Sequence, residues 1–477
     1  MAEAGCYGLD RRNCSLISFF NLSKTFMNLP QKMSLPCLSM GSASLAFVLG
    51  TLVPVAQAQS LVELYDSARA FDASYQSAAL LYEANLARAD QARAGILPTA
   101  GLSAGASRVS VESTAAPAGG ITGFSTQNAT LTASQPVYRP GNWASYEQGF
   151  RQVDLARAQL EVAAQDLIVR TSQAYFDVLA AQDTLAFVRA QKEAVNEQLA
   201  FAKRNFEVGT STITDTREAQ ARFDLVMAQE IAADNDLRVR KIALDQLVGT
   251  SESQPRPLAV PVTLPPVMPA EVDTWVRQAD LVNPAIRQAR SNADIAELEI
   301  KKAEAGHKPT VDATASYNIT KNPSTSALAG ISSRANTGSV GLVLNVPLFT
   351  GFSVQNRIRE TLALRDKALS DLEGSRRSVS QNVRTAYFSV QSGQGQVRAL
   401  EAAELSSQSA LDANRLGYQV GVRINIDVLN AQSQLFQTKR DLAQARYNVL
   451  LGGLRLRQAS GTLTAEDLQQ VNGLLTR

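Results

Sequence analysis

Cysteine occurs only at Cys6, Cys14 and Cys37, and histidine only at His307. That scarcity excludes a disulfide framework, a cysteine nucleophile and a clustered His/Cys metal site from the rest of the chain. The sequence also lacks a phosphate loop and a GxSxG nucleophile elbow. His307 aligns with Ile96 of an internal repeat, so it reads as a helix-end residue rather than a ligand. These features point away from an enzyme, and no cofactor is implied. Aromatic residues are few, 6% of 477, while 45% of the chain is apolar and 19% charged. Abundant Ala with few rings predicts helices packed side by side.

A processing pattern opens the chain: Lys32, an apolar run through SASLAFVLGTLVPV, then Ala56-Gln57-Ala58. This order of charged region, apolar core and A-x-A site marks residues 1–58 as a signal peptide region, with Met27 or Met33 as the true start and Gln59 as the first mature residue. The run is too short to span a bilayer as an anchor. All three cysteines precede the cut, so the new N-terminus cannot carry a lipid. Of 46 basic and 44 acidic residues, four (Arg11, Arg12, Lys24, Lys32) and two (Glu3, Asp10) precede it. The exported remainder is electrically balanced and gives no support for nucleic-acid binding.

Beyond Gln59 the chain repeats itself. AGILPTAGLSA at Ala94 recurs as AGHKPTVDATA at Ala305, an offset of 211 residues. Pro136 matches Pro347, and Ala174-Tyr175-Phe176 matches Ala386-Tyr387-Phe388; Val208-Gly209, Thr214-Asp215, Ala219-Gln220 and Gly249-Thr250 match Val420-Gly421, Ile426-Asp427, Ala431-Gln432 and Gly461-Thr462 at 212. Matches kept in order mean a duplication. The first copy spans 59–253 and the second 271–477, joined by a Pro-rich linker at 254–270.

Each copy is expected to open with one amphipathic helix, about Leu61 to Arg93 and about Val272 to Ala305, ending before Pro98 or Pro309. Strands of about ten residues follow, at Leu102 to Val111, Asn128 to Val137, Val311 to Thr320 and Ser339 to Val346, the last two separated by a polar loop, KNPSTSALAGISSRANT. VDATASYNIT alternates, with Val311, Ala313, Ala315, Tyr317 and Ile319 on one face. Length and alternation suit a tilted membrane strand, with Tyr138, Trp143, Tyr146, Phe349 and Phe352 as interface anchors. Four strands cannot close a barrel, and lipid does not tolerate an open sheet edge. The strands must therefore join a shared barrel, for which three copies giving about twelve strands is the smallest symmetric solution beyond the common eight.

Helical patterns of about sixty residues come next, Ser145 to Asn205 and Val354 to Leu416, each followed by a returning helix. Val153, Leu160, Leu167, Ala174, Ala181, Val188 and Val195 step by seven, as do Val428, Leu435, Leu442, Val449 and Leu456. A strict heptad imposes a left-handed supercoil, and Ala in the seam lets helices approach closely. Between the long and returning helices lies a corner, NRLGYQVGVRINIDVLN, that gathers Tyr418, Gly421, Arg423 and Asp427.

The sequence resembles the TolC-like outer-membrane exit ducts, most specifically through GYQVGVRINIDVLNAQSQLFQTKRDLAQARYNVLLGGLRLRQASGTLTAEDL. The resemblance implies a mainly α protein with membrane β: a homotrimer whose twelve-stranded outer-membrane β-barrel, four strands per chain, is continued by a periplasmic α-helical barrel of coiled-coil hairpins. It implies a duct in the outer membrane, in contact with its lipid, that works with a periplasmic adaptor (membrane fusion) protein and an inner-membrane ABC or RND pump. The missing lipidation cysteine and the C-terminal match favour the type I protein-secretion branch; the alternative is the outer-membrane channel of a multidrug efflux pump. In the family's pattern, Asp427 belongs to an acidic ring that narrows the periplasmic tip, and Tyr418 and Arg423 tie a mobile hairpin to Asp215 and Thr214. Asn430 stands where some members carry a second acid, which implies weaker cation block. Val208, Gly209, Val420 and Gly421, with Arg204 and Arg415 upstream, resemble the adaptor-contact tip. Three other classes fit less well, among them a periplasmic adaptor, which would show one hairpin and a lipoyl-like module rather than two full copies. A trimeric surface adhesin places its strands at the C-terminus, and a coiled-coil filament leaves strands and duplication unexplained.

Overall fold

The computed structural model describes residues 59–113, 120–259, 261–325 and 331–476. The signal region 1–58, with the three cysteines and both candidate starts, lies outside the described residues, as does part of the polar loop, 326–330. From Gln59 onward, one order of elements occurs twice. It runs α1 (Leu61–Phe71), α2 (Ala73–Ala94), β1 (Thr99–Ser113), β2 (Gly120–Tyr138), α3 (Pro140–Glu207) and α4 (Ile213–Val248). The second round is α5 (Val272–Val282), α6 (Pro284–Glu304), β3 (Thr310–Thr325), β4 (Ile331–Asn345), α7 (Ser353–Gln419) and α8 (Asn425–Ser460), with a short α9 (Ala465–Asn472) at the end.

The single opening helix expected in each copy is broken in two. Asp72 and Asn283 are extended, and each side chain accepts from a free amide in the first turn of the next helix, Tyr75 N–H and Ala285 N–H. A capping side chain at this place satisfies donors that a continuous helix would not leave open, and Pro284 suits the first turn only. The break is packed against the far end of the same copy. Gly249 and Gly461, which end α4 and α8 with φ of +74° and +78°, sit against Phe71 and Asn283, and a Cβ on Gly461 would stand 2.5 Å from Asn283 Cα. The recurrent Gly-Thr of the sequence therefore marks a site with no room for a side chain.

The strands run 15 to 19 residues, longer than the ten expected. Antiparallel pairing needs only backbone groups, so the ladder continues through polar Ser, Thr and Asn positions where apolar alternation has ceased. The sheet order is β1-β2-β3-β4, with β2–β3 joining the two copies. Its register lines up Ala100, Ala133, Ala315 and Val340 in one row and Gly101, Thr132, Ser316 and Ser339 in the next. Near the helices one face is thus apolar across all four strands, giving way to Gln127, Lys321 and Arg334 farther along, and the other is polar, laced by Ser316–Ser339 (2.8 Å) and Thr130–Asn318 (2.9 Å). Val340 is 90% exposed and Leu342 73%, an apolar surface that water disfavours and lipid does not. Phe349 and Phe352 pack edge to face just beyond β4, as Trp143 and Tyr146 do beyond β2. At the junction with the helices, Arg139 grips Asp312 of the neighbouring hairpin with two bonds, 2.8 and 2.7 Å.

Helices α3 and α7 contain 68 and 67 residues, about 100 Å each at 1.5 Å per residue. The heptad positions Val428, Leu435, Leu442, Val449 and Leu456 are all buried, and each such side chain contributes about 1.5–3 kcal/mol. In α3 the seam is buried at Leu167, Ala181, Val188 and Val195 and half-buried at Val153, Leu160 and Ala174. The main core lies mid-helix, where Tyr175, Phe176, Leu179, Leu244, Tyr447, Leu450 and Leu454 meet α1 and α9. Here the linker is held in place: Tyr175 Oη donates to Arg256 O (2.9 Å), Tyr387 Oη to Ala270 O, and Trp275 Nε1 to Pro269 O (2.9 Å). Linker residues also pair with both ends of the described chain, at Gln59–Pro255 and Leu258–Leu475.

Candidate gate at the helical tip

The two corners at which the long helices return are built alike. At the first, Val208, Gly209 and Thr210 donate to the carbonyls of Arg204, Phe206 and Asn205; at the second, Val420, Gly421 and Val422 donate to those of Leu416, Tyr418 and Gly417. Gly209 and Gly421 have φ of +80° and +79°, and a Cβ on either would meet nothing within 4 Å. Glycine is needed here for its left-handed backbone, not for space. Around the corners Val208, Val420, Val422 and Ile424 are 60–75% exposed, and Arg204 and Arg415 are also exposed. The tip thus presents two matched apolar points with a cation one turn behind each.

Beyond the corners the copies diverge. Thr212 caps α4, its hydroxyl accepting from Asp215 N–H, while Asp215 Oδ2 accepts from Thr212 N–H (3.1 Å) and Ser211 Oγ (2.7 Å). Partial burial pushes the Asp215 carboxyl up, but the bonds from Ser211 and Thr212 together outweigh it and hold the group below the ordinary carboxylate range. At the same place in the second copy Ile424 cannot cap. Asp427, third residue of α8 as Asp215 is of α4, is left for Arg423, whose Nη1 lies 3.7 Å from Oδ2. That pair is loose and wet, so it is worth about 0–1 kcal/mol.

Within the protomer, Arg423 is paired with Asp427 and not with Asp215, while Thr214 is exposed on the first turn of α4. Tyr418 is half-buried, packed on Leu411, Val428 and Leu435 and set edge-on to Phe201 of α3 at 5.8 Å. Asn430 accepts from Arg222 Nη2 of α4 at 2.9 Å. Sequence reasoning passed over Arg222, Gln198, Asn425 and Leu429, which join the two hairpins. Asn425 is fully buried; its amide donates to Asp215 O (3.3 Å) and its carbonyl accepts from Gln198 Nε2. Leu429 is also fully buried, among Val195, Leu199, Ala202 and Ala219. One signal was available: Asn425 stands where the other copy has Ile213, a polar residue in place of an apolar one.

A sheet apolar on one face, continued by helical hairpins of about 100 Å that end in paired glycine corners, defines a subunit of an outer-membrane channel. The family model of outer membrane efflux proteins matches residues 64–250 and again 275–462, and the chain belongs to that family. It is 34% identical over 429 residues to the outer membrane protein TolC of Vibrio cholerae, covering 89% of this chain and 95% of that one. To the alkaline protease secretion protein AprF of Pseudomonas aeruginosa it is 33% identical over 344 residues, 72% of this chain and 71% of the other. The fold matches the outer membrane protein VceC of Vibrio cholerae with a TM-score of 0.71 at 21% identity, covering 84% of this chain and 96% of VceC. The corresponding values for CusC are 0.73, 18%, 85% and 92%. The chain is an outer-membrane transport protein with the TolC-like channel fold.

Proposed function

We propose that three copies of this chain close their sheets into one twelve-stranded barrel and form the exit duct of a tripartite type I secretion system. The observation that carries this is the four-stranded sheet itself: its apolar face suits lipid, and among the described residues the outer edges of β1 and β4 have no partner strand in the protomer. Symmetry supplies the missing partners, β4 of one copy beside β1 of the next. In this reading residues 1–58 direct export, and copies 59–253 and 271–477 form quasi-equivalent walls joined by the 254–270 linker. The pore is a conduit rather than an enzyme.

The helical tip is the gate. Asp427, repeated three times about the axis, narrows it and attracts cations. Arg423 and Tyr418 hold the α7/α8 hairpin, with Asp215 and Thr214 of a neighbouring hairpin as partners in the closed trimer. Asn430, neutral, leaves one acidic ring where two would block more strongly. Val208, Gly209 and Arg204, with Val420, Gly421 and Arg415, receive a periplasmic adaptor that couples the duct to an inner-membrane ABC or RND pump. Likeness to a protease secretion protein supports protein cargo, while the efflux description of the family supports a second reading, an exit for small toxic compounds. Planar-bilayer recording tests the gate. Asp427→Ala is expected to weaken trivalent-cation block, and Arg423→Ser to raise resting conductance. Unchanged behaviour of both variants would refute the assignment.

A further inference from the structure

The polar link between hairpins that the protomer displays uses the side chains of none of the residues given a gate role above except Asn430; of Asp215 it uses only the main-chain carbonyl. Asn425, the first residue of α8, is buried completely and bonded at both ends of its amide to the other hairpin, to Gln198 of α3 and to the main-chain carbonyl of Asp215. One turn on, Leu429 fills an apolar socket formed by α3 and α4, and beside it Arg222 donates to Asn430. These groups lie on consecutive turns of α8 and all reach the α3/α4 hairpin of the same chain.

We infer that Asn425 and the Arg222–Asn430 bond form an intra-protomer latch that positions the α7/α8 hairpin and sets how readily the tip opens. This rests on the gate reading given above, but it is separate from the Arg423 link. Moving α8 away from α3 parts the buried Asn425 carboxamide from the Gln198 amide until water arrives, removes the second bond of the Asp215 carbonyl, and empties the Leu429 socket. Release therefore requires the hairpins to separate far enough to wet this layer. An Arg423 link at the surface carries no such threshold. Exchange of Asn425 for an apolar residue of similar size removes both bonds in the closed state, leaves the Gln198 amide without this partner, and weakens that state. The Arg222 bond is more exposed and contributes less, but it can be strengthened: a carboxylate at position 430 would make a charge-assisted pair with the guanidinium.

The test uses full-length protein in planar bilayers, with thermal melting of each variant as the folding control. Asn425→Leu is expected to raise the fraction of time at high conductance by about ten-fold, the size of effect an unmet buried polar group produces. Arg222→Ala raises it less, and either change adds to Arg423→Ser. Asn430→Asp lowers it, and the lowering disappears in Arg222→Ala/Asn430→Asp. If Asn425→Leu fails to fold, the Asn430→Asp pair decides alone. Unchanged gating in folded Asn425→Leu, or an Asn430→Asp effect that survives without Arg222, overturns the latch. A wild-type protein that forms no pore defeats the duct reading itself, whereas a wild-type pore indifferent to these substitutions defeats only the latch.

Discussion

Asp215 and Asp427 occupy the same position in the two copies, third in the returning helix, yet the first is locked in a capping box with Thr212 and the second faces Arg423. The difference comes from one residue upstream: Thr212 has a hydroxyl to offer and Ile424 does not. Duplication thus yields one carboxylate held by its own helix cap and one that lies loosely against Arg423. Ile424→Thr is expected to draw Asp427 into a cap like that of Asp215 and to weaken trivalent-cation block without any change in charge. Thr212→Ala costs about 0.5–2 kcal/mol of local stability at the start of α4. Hydrogen exchange of the α4 amides reads the second effect, and bilayer recording the first.

Tyr175 and Tyr387, also equivalent by repeat, each hold one end of the linker through a carbonyl, at Arg256 and Ala270. Burial keeps the Tyr175 phenol protonated well beyond its ordinary range, so it remains a donor. Tyr→Phe at either position leaves the packing and removes the bond, at a cost of about 0.5–1.5 kcal/mol. The two losses should add, because they lie at opposite linker ends. Urea unfolding followed by far-UV circular dichroism measures both.

Two glycines with the same backbone angle should respond differently to alanine. At Gly421 the penalty is only the left-handed conformation, about 1 kcal/mol. At Gly461 the new Cβ also meets the Asn283 backbone, so overpacking adds about 1–3 kcal/mol. Thermal melts of Gly421→Ala and Gly461→Ala are expected to show a small and a large fall, respectively.

The pH response separates two carboxylates in the helical region. Hydrogen bonds from Arg170 hold Asp72 below the usual carboxylate range despite its burial. Its contribution is present above the unfolded value of about 3.9 and is lost as pH falls through the lower folded value. Burial pushes Asp183 the other way, and the bond from Tyr447 Oη (2.7 Å) offsets this only in part. Its penalty grows as pH rises from about 3.9 through the raised folded value. At neutral pH, Asp72→Asn therefore destabilises, while Asp183→Asn, which keeps an acceptor for Tyr447, stabilises. Both effects vanish in acid, when the wild-type groups are protonated. Denaturant midpoints at several pH values provide the readout.

Much of the fold was legible because its signals are periodic. Alternation from Val311 to Ile319 placed the apolar face, and Val428 to Leu456 placed a buried seam. The breaks at Asp72 and Asn283 were missed because the apolar pattern runs across them; the Asn283-Pro284 dipeptide was the available sign of a stop and restart. Strand ends were missed because a backbone ladder leaves no trace in polar sequence. At the tip, recurrence marked Gly209 and Gly421, whose φ is dictated locally. Arg222 with Asn430 and Asn425 with Gln198 are partners more than two hundred residues apart. Their meeting depends on how two helical hairpins lie side by side, which no local pattern encodes.

The shared barrel is the claim on which the duct, gate and docking assignments all depend, and the most direct test of it is the protein mass of the detergent-purified complex, by light scattering with the detergent contribution removed. Three copies per particle are expected, because the outer edges of β1 and β4 each need a second partner strand and three sheets close the ring. A stable single copy would contradict the account.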